Sequence, residues 1–337
     1  MLTDPAVLDQ VLAAVAEQEL LLTPRRVPAA TPGAAALEGE LEVRGHRVTV
    51  MLVLPADFPL TFPLLYLQPW DALGFIPHVE VNGYVCYVSA EGLLLDRRHP
   101  VAIVAEAIRR ASALLADGVT GANRSDFVDE FESYWQRLPG GVDVFSVIDP
   151  SGEVRQVIRA TSKEGTSYLA ASEENISSFF HRLSVAGRYT IQNALFLAVE
   201  ADVVVVPPRP DRPMWTAEEA RATLLPGLSA ENAARLRKLT RRRSRAQEYV
   251  VVGIPRPAGG MAVFGIRYDG VGDVHPLLEG APPSGWSRFG WSGWRRATSS
   301  PAAAGRRSSG RSGCCSPAAA PWAAILRWNW AARGCWT

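Results

Sequence analysis

No aspartate or glutamate follows Glu279. The segment from Ala281 to Thr337 nevertheless holds eight Arg, seven of the ten Trp and three of the four Cys (Cys314, Cys315, Cys335). Any compact form of it would keep that charge close to its own apolar surface with no carboxylate to pair it. Its apolar residues are mainly Ala and Trp without helical or strand period, apart from a short run between Ala318 and Ala332. The segment 281–337 is therefore expected to be a disordered tail, and the foldable part to end near residue 280. The whole chain has net charge +1, so the first 280 residues carry −7, with Cys86 as their only cysteine.

That part is long enough for two domains, and 47% hydrophobic residues over the chain can fill their cores. One cysteine excludes a disulfide scaffold and an intrachain Cys-x-x-Cys zinc site. No N-terminal stretch has the basic, apolar and small-residue order of a secretory leader. No window has the uninterrupted run of about 18 apolar residues that a membrane span needs. The expectation is a reducing, cytoplasmic setting and no membrane partner.

Residues Asp4 to Leu20 predict a helix. Asp4 can cap it, Pro5 suits its first turn, and Val7, Leu8, Val11, Leu12 and Val15 form an apolar stripe. Pro24 to Ala36 reads as a loop. Leu37 to Val43 and Arg47 to Leu54 read as a hairpin across Arg44-Gly45-His46. A Pro-rich crossing, Pro55 to Pro63, leads to a short strand, Leu64 to Leu67. A long irregular stretch, Pro69 to Asp96, precedes a helix that Pro100 opens and that runs to about Leu115. Asp126 to Leu138 predicts another helix, with Phe127, Phe131, Tyr134 and Trp135 clustered on one side. Beyond it, Val142 to Ile148 and Val154 to Ala160 read as a hairpin. Tyr168 to Ala171 is a strand candidate and Glu173 to Leu183 a helix. Short apolar runs follow at Leu195–Val199 and Asp202–Val206. Helices Thr216–Leu225 and Ser229–Arg243 precede strands Tyr249–Ile254 and Met261–Tyr268.

The informative block is Phe58-Pro59-Leu60-Thr61-Phe62-Pro63, then His78, then Gly83-Tyr84-Val85-Cys86, then Asp96 to Pro100 at a helix start. In order and spacing it resembles the ubiquitin-conjugating (UBC) fold. That family has an N-terminal helix, a strand meander, an aromatic-Pro-x-x-x-Pro crossing, a His-Pro-Asn element and a Gly-x-Val/Ile-Cys element carrying the catalytic cysteine. A helix opened by Pro follows, and here Pro100 lies fourteen residues beyond Cys86. The resemblance covers residues 1–137 and is closest to bacterial conjugating-enzyme-like domains, which are often fused to an activating domain in anti-phage operons. It implies an α+β architecture: a UBC-like domain at 1–137 with N-terminal helix, antiparallel meander and C-terminal helices, then a second mixed α/β domain at 142–280, then the disordered tail.

The chain departs from that pattern at three points. His78 lies eight residues before Cys86, slightly closer than in the family; Glu80 stands where the family has its Asn; His99 replaces the aromatic before the helix-opening Pro. Transfer of a ubiquitin-like protein moves an acyl group from thiol to thiol and then to an amine, which requires a cysteine that attacks as thiolate from an accessible loop. The resemblance gives Cys86 that role. A donor aimed at the tetrahedral oxyanion contributes roughly 10²–10³ in rate at other acyl-transfer sites. Asn82 or a loop backbone amide can serve here. His78 is a candidate base or, as more often in this family, a residue that holds the loop. The alternative for Cys86 is a buried small hydrophobe beside Val85 and Val88.

Arg235 to Arg245 is the sharpest charge run of the second region. It reads either as a patch for nucleic acid or an acidic partner, or as a solvated helix end where cations favour the C-terminal dipole. With 2 Lys against 33 Arg in the chain, Arg is the ordinary surface cation and the solvated helix end is favoured.

The tail's Ala, Arg, Gly, Ser, Trp and Cys content suggests an off-frame reading of GC-rich DNA. Two nucleotides later, with suitable wobble bases, Gly313 onward reads LLFAGCGAMGGHPSLELGRAGVLD. The glycines at Trp322 and Trp330 and the glutamate at Trp328 are forced, because Trp has one codon. That string resembles the opening strand, glycine turn and helix of a ThiF-like activating domain. An authentic basic tail is the alternative. The resemblance thus implies a thioester carrier whose activating domain is lost to a frameshift. No cofactor is expected in this chain; ATP and Mg would belong to the lost domain. Expected partners are a ubiquitin-like protein and an activating enzyme or domain, with a cyclic-nucleotide synthase as a possible target. The other readings are a non-catalytic UBC-like module that binds a ubiquitin-like partner, and a nucleic-acid adaptor using Arg235 to Arg245.

Overall fold

The computed structural model describes residues 5–89, 94–138, 144–150, 152–163, 165–182, 189–200, 203–241, 247–257, 259–269, 274–278 and 294–296. It is an α+β protein with two sheets and divides into two compact units, the first running to Asp126 and the second beginning at Phe127.

The first unit opens with α1 (Pro5–Glu17), whose Val11 and Val15 are buried as the stripe requires. Then come β1 (Leu22–Val27), β2 (Ala35–Val43), β3 (His46–Leu54) and β4 (Leu64–Gln68), an antiparallel meander in chain order. β3 buries Val48, Val50, Leu52 and Leu54, every second residue, so the sheet is covered on one face. α2 (Pro100–Thr120) supplies Val104, Ile108, Ala111 and Leu115 to the same core as β2, β3 and β4. The helix ends at Gly121 in the left-handed conformation, whose N–H returns to the Asp117 and Gly118 carbonyls.

β1 corrects the loop expected at Pro24–Ala36. Among the described residues it pairs with β2, at the edge of the sheet and beside a register shift between Leu22 and Arg25, where Pro24, which has no N–H, is tolerated. α2 also runs five residues past the expected end at Leu115.

The single helix expected over Asp126–Leu138 is two: α3 (Asp126–Asp129) and α4 (Phe131–Arg137). α4 packs on a strand of the second unit, and its aromatic side chains are core there. That unit continues with β5 (Val144–Ser146), β6 (Arg155–Ser162), β7 (Ser167–Ala170), α5 (Glu173–Arg182), β8 (Tyr189–Ala198), α6 (Ala217–Leu224), α7 (Ala230–Thr240), β9 (Gln247–Pro255), β10 (Met261–Asp269) and β11 (Trp294–Arg296). The strands form one mixed sheet in the order β10-β9-β8-β6-β7-β5-β11.

β5 and β6 are not the expected hairpin. The turn Ser162–Ser167, closed by the Ser162 N–H on the Thr166 carbonyl, folds β7 back onto β6, and β8 takes the other edge of β6. β5 therefore joins the outer edge of β7, in parallel. Val203 to Val206, an apolar run by composition, contributes buried Val205 but no strand. The disordered tail expected at 281–337 lies outside the described residues except at Trp294–Arg296, where the finding is instead a strand parallel to β5.

Capping sets the helix starts of the second unit. The Thr216 hydroxyl accepts the Glu219 N–H while the Glu219 carboxylate accepts the Thr216 N–H, a reciprocal box at the start of α6. Ser229 caps α7 through the Asn232 N–H, and the Asn232 side chain in turn accepts the Val154 N–H, joining α7 to the segment before β6.

Four rings pack together in the core of the second unit. Phe131 and Trp135 on α4 lie 4.4 and 4.6 Å from Phe264 on β10, and Trp215 lies 5.6 Å from Trp135. Trp135→Ala is expected to cost about 3–5 kcal/mol, the range for a large aromatic lost from a packed core, read as a shift of the urea midpoint followed by tryptophan fluorescence.

His275 is buried, and burial pushes its imidazole down to about 4. Its Nδ1 accepts the Leu277 N–H. The unfolded chain binds a proton at this side chain below about 6.5 that the folded chain refuses until about 4. Stability present above the first value is thus lost as pH falls toward the second, by at most about 3 kcal/mol. His275→Asn, whose side-chain oxygen can accept the same N–H, is expected to flatten the pH dependence of the second unit's thermal midpoint between those values.

Candidate functional site

The site is built on the outer edge of β4. The Leu67 N–H donates to the Gly83 carbonyl at 2.8 Å, and the Val85 N–H donates to the Leu65 carbonyl at 2.8 Å. Residues 83–85 thus run antiparallel to β4, with Tyr66 opposite Tyr84. The approach requires glycine. Gly83 has φ +89°, and a Cβ there would sit 2.2 Å from the Leu67 carbonyl oxygen. This is the physical reason for the glycine of the Gly83-Tyr84-Val85-Cys86 motif.

The chain enters this segment through a tight reversal. The Gly83 N–H donates to the Glu80 carbonyl, and the Glu80 N–H donates to the Tyr84 carbonyl. The Asn82 side-chain oxygen accepts the Tyr84 N–H at 2.9 Å. Asn82 is exposed, and its oxygen serves the turn, which leaves its amide NH₂ as the group it can present elsewhere. The sequence reading made Asn82 an oxyanion candidate; the structure adds this turn-closing bond.

Cys86 follows buried Val85 and is itself half-buried, in no disulfide among the described residues. Its N–H donates to the His78 carbonyl at 2.8 Å, and Val79 bridges Val85. His78 holds a left-handed backbone at φ +64°, and its Nε2 lies 2.9 Å from the Asp126 carboxylate. The structure therefore brings His78 and Cys86 together through the backbone. Asp126, at the start of α3, was not singled out in the sequence; nothing in its spacing marks it, because forty residues and a long helix separate it from Cys86.

Tyr87, the residue after the thiol, was also missed. Its hydroxyl donates to the Pro63 carbonyl, and its ring meets Phe62 edge-on at 6.2 Å. Burial pushes its phenol above the usual tyrosine range, with Arg110 opposing more weakly, so it stays a donor. The Pro-rich crossing is thereby tied to the cysteine segment. Phe58, the first aromatic of that crossing, is buried in the core, whereas Leu60 is 60% exposed. Burial, and then the Glu80 charge, raise the phenol of Tyr66. At the start of α2, His99 is exposed and caps nothing with its side chain. Beside it the Asp96 carboxylate takes two bonds from the Arg98 guanidinium and a third from the Arg98 N–H, which hold it below the usual carboxylate range.

Residues 32–140 match the family model of Prok-E2_B, prokaryotic E2 family B. This stretch is similar to that family. The match spans about a third of the chain and contains His78, Asn82, Cys86 and Asp126. It continues to residue 140, past the division between the compact units at Asp126 and Phe127. Neither the curated proteins nor the solved structures contain a match.

Elsewhere the charge run of the second unit is partly neutralised. Arg235 pairs with Glu153 at 2.7 Å and Glu231 at 2.9 Å on the side of α7, as a solvated helix face does, while residues 242–246 lie outside the described residues. Among the described residues no helix is long and apolar enough to cross a membrane.

Gly83→Ala is expected to cost at least about 2 kcal/mol and to change the alkylation rate of Cys86, because both the φ and the Leu67 carbonyl oppose a Cβ. Gly45→Ala is the control. Its φ of +81° is equally unfavourable, but nothing lies within 4 Å, so it should destabilise by about 1 kcal/mol and leave thiol reactivity unchanged.

Proposed function

We propose that Cys86 is a thioester carrier for a ubiquitin-like protein. The observation that carries this reading is the half-buried Cys86 thiol at the end of a segment clamped to β4, within the stretch that matches the E2 family model. The Cys86 thiolate attacks the carbonyl carbon of the thioester on an activating enzyme. A new S–C bond forms, the donor's S–C bond breaks, and the donor thiolate leaves and takes up a proton. In the second transfer an amine attacks the same carbonyl carbon, the Cys86 S–C bond breaks, and the amine's proton passes to solvent or a base. The oxyanion of each tetrahedral intermediate needs a donor, and the Asn82 NH₂ or a loop amide is assigned that part. His78 is assigned to hold the loop rather than to move the proton, since its ring is engaged with Asp126 and its carbonyl with the Cys86 N–H.

The activating step, with ATP and Mg, belongs on this reading to a ThiF-like domain that the carboxylate-free tail replaces through a shift of reading frame. The off-frame glycine pattern supports it, and sequencing the gene through codons 280–290 and beyond tests it: a downstream frame with no long activating-domain reading defeats it. The resemblance to bacterial fusions further supports a role in anti-phage defence, with a cyclic-nucleotide synthase as a target.

With a cognate activating enzyme, ATP and ubiquitin-like protein, the chain is expected to form an adduct that reductant removes. Cys86→Ala should abolish it, and Cys86→Ser should convert it to an ester that reductant leaves intact. An adduct that persists in Cys86→Ala overturns the assignment. Tight binding of the ubiquitin-like protein with no adduct supports the non-catalytic binding module instead.

A further inference from the structure

We propose that Asp126 is a positioning residue for the Cys86 loop, acting through His78. The inference rests on the carrier reading only for its consequence in transfer; the positioning itself is a statement about the loop.

The chain of contacts is short. The Asp126 carboxylate meets His78 Nε2 at 2.9 Å. A carboxylate only accepts, so in this contact the ring nitrogen carries the proton. The His78 carbonyl accepts the Cys86 N–H at 2.8 Å, so the residue whose ring Asp126 holds also fixes the backbone of the thiol residue. His78 sits at φ +64°, a conformation that costs free energy in a non-glycine residue and persists only where its surroundings hold it. The side-chain contact is of medium exposure, 18% for His78 and 36% for Asp126, so solvent weakens it without abolishing it.

The two ends come from distant parts of the chain. His78 lies in the irregular stretch after β4, and Asp126 opens α3, after the whole length of α2. β4 constrains the Cys86 segment from one side through Leu65 and Leu67, and Tyr87 ties it to the crossing. Those bonds set where residues 83, 85 and 87 lie. The His78 carbonyl accepts the N–H of residue 86 itself, and Asp126 orients the residue that supplies it.

The test uses the full chain with Asp126→Asn, Asp126→Glu and His78→Gln. Hydrogen exchange of the Cys86 amide and the ring-nitrogen resonances of His78 are read first, without any partner protein. In the wild type the Nε2-protonated signature is expected. Asp126→Asn should redistribute the ring tautomers and accelerate Cys86 amide exchange about tenfold, a factor that corresponds to the loss of one charge-assisted contact. Asp126→Glu should recover most of both, which a residue serving only bulk stability would not do. His78→Gln should accelerate exchange with no additional effect from Asp126→Asn in the double variant. Unchanged tautomers and unchanged exchange in Asp126→Asn overturn the proposal, as does full additivity in the double variant. In a transfer assay Asp126→Asn should slow adduct formation severalfold, with the Glu variant close to wild type. Failure of the wild type itself to form an adduct would strike the carrier reading alone, since the exchange and ring measurements stand without it.

Discussion

Everything at the candidate site depends on one close backbone approach, the Leu67 N–H to the Gly83 carbonyl. It lets a segment outside the meander borrow the free edge of β4, so an irregular stretch acquires the rigidity of a strand without belonging to the sheet. A side chain at position 83 would meet the Leu67 oxygen, so the contact exists only with glycine. Once it is made, Val85 turns into the core and Cys86 follows half-exposed. A reactive group on a loop needs this kind of support. The positional precision comes from the scaffold beneath it, and the accessibility comes from its standing outside the regular sheet.

The second unit is held by a different kind of contact. Its aromatic cluster is directional only weakly, through ring geometry, and it gains mainly from area removed from water. The short helix α4 could not stand alone at seven residues; packing Phe131 and Trp135 onto β10 is what makes it a helix. Polar contacts then select its placement. The Glu132 carboxylate on the same helix accepts the Val263 N–H and pairs with Arg256, both on or beside the β9–β10 hairpin. Burial raises the Glu132 carboxyl, with Arg256 and the Val263 N–H acting against it, so the pair is held at a cost that the surrounding apolar contacts offset.

Much of the first unit was legible because its signals are local. Alternation in β2 and β3, the Arg44-Gly45 turn, the Pro that opens α2 and its apolar stripe each depend on residues a few positions apart. The Gly83 to Cys86 element was legible for the same reason. Asp126 and Tyr87 were not. A carboxylate that reaches a histidine across an entire helix leaves no mark in spacing, and a buried tyrosine reads as core whether or not its hydroxyl has a partner. β1 was missed because an edge strand with one face on solvent and a proline inside it lacks the alternation that identifies a strand.

The sequence by itself determined the apolar stripe of α1, the alternation of β2 and β3, the Pro that opens α2, and that one cysteine stands among the first 280 residues. Those are matters of backbone sterics and hydrophobic period, and they act over a few residues. Only the tertiary structure decided which strands became neighbours. The Val142–Ala160 region reads as a hairpin locally, yet β7 lies between β5 and β6, because β7 turns back antiparallel onto that edge of β6. The same holds for the ring of His78. Its side chain has no preferred partner in the sequence, and the end of α2 had to be placed before the Asp126 carboxylate could reach it.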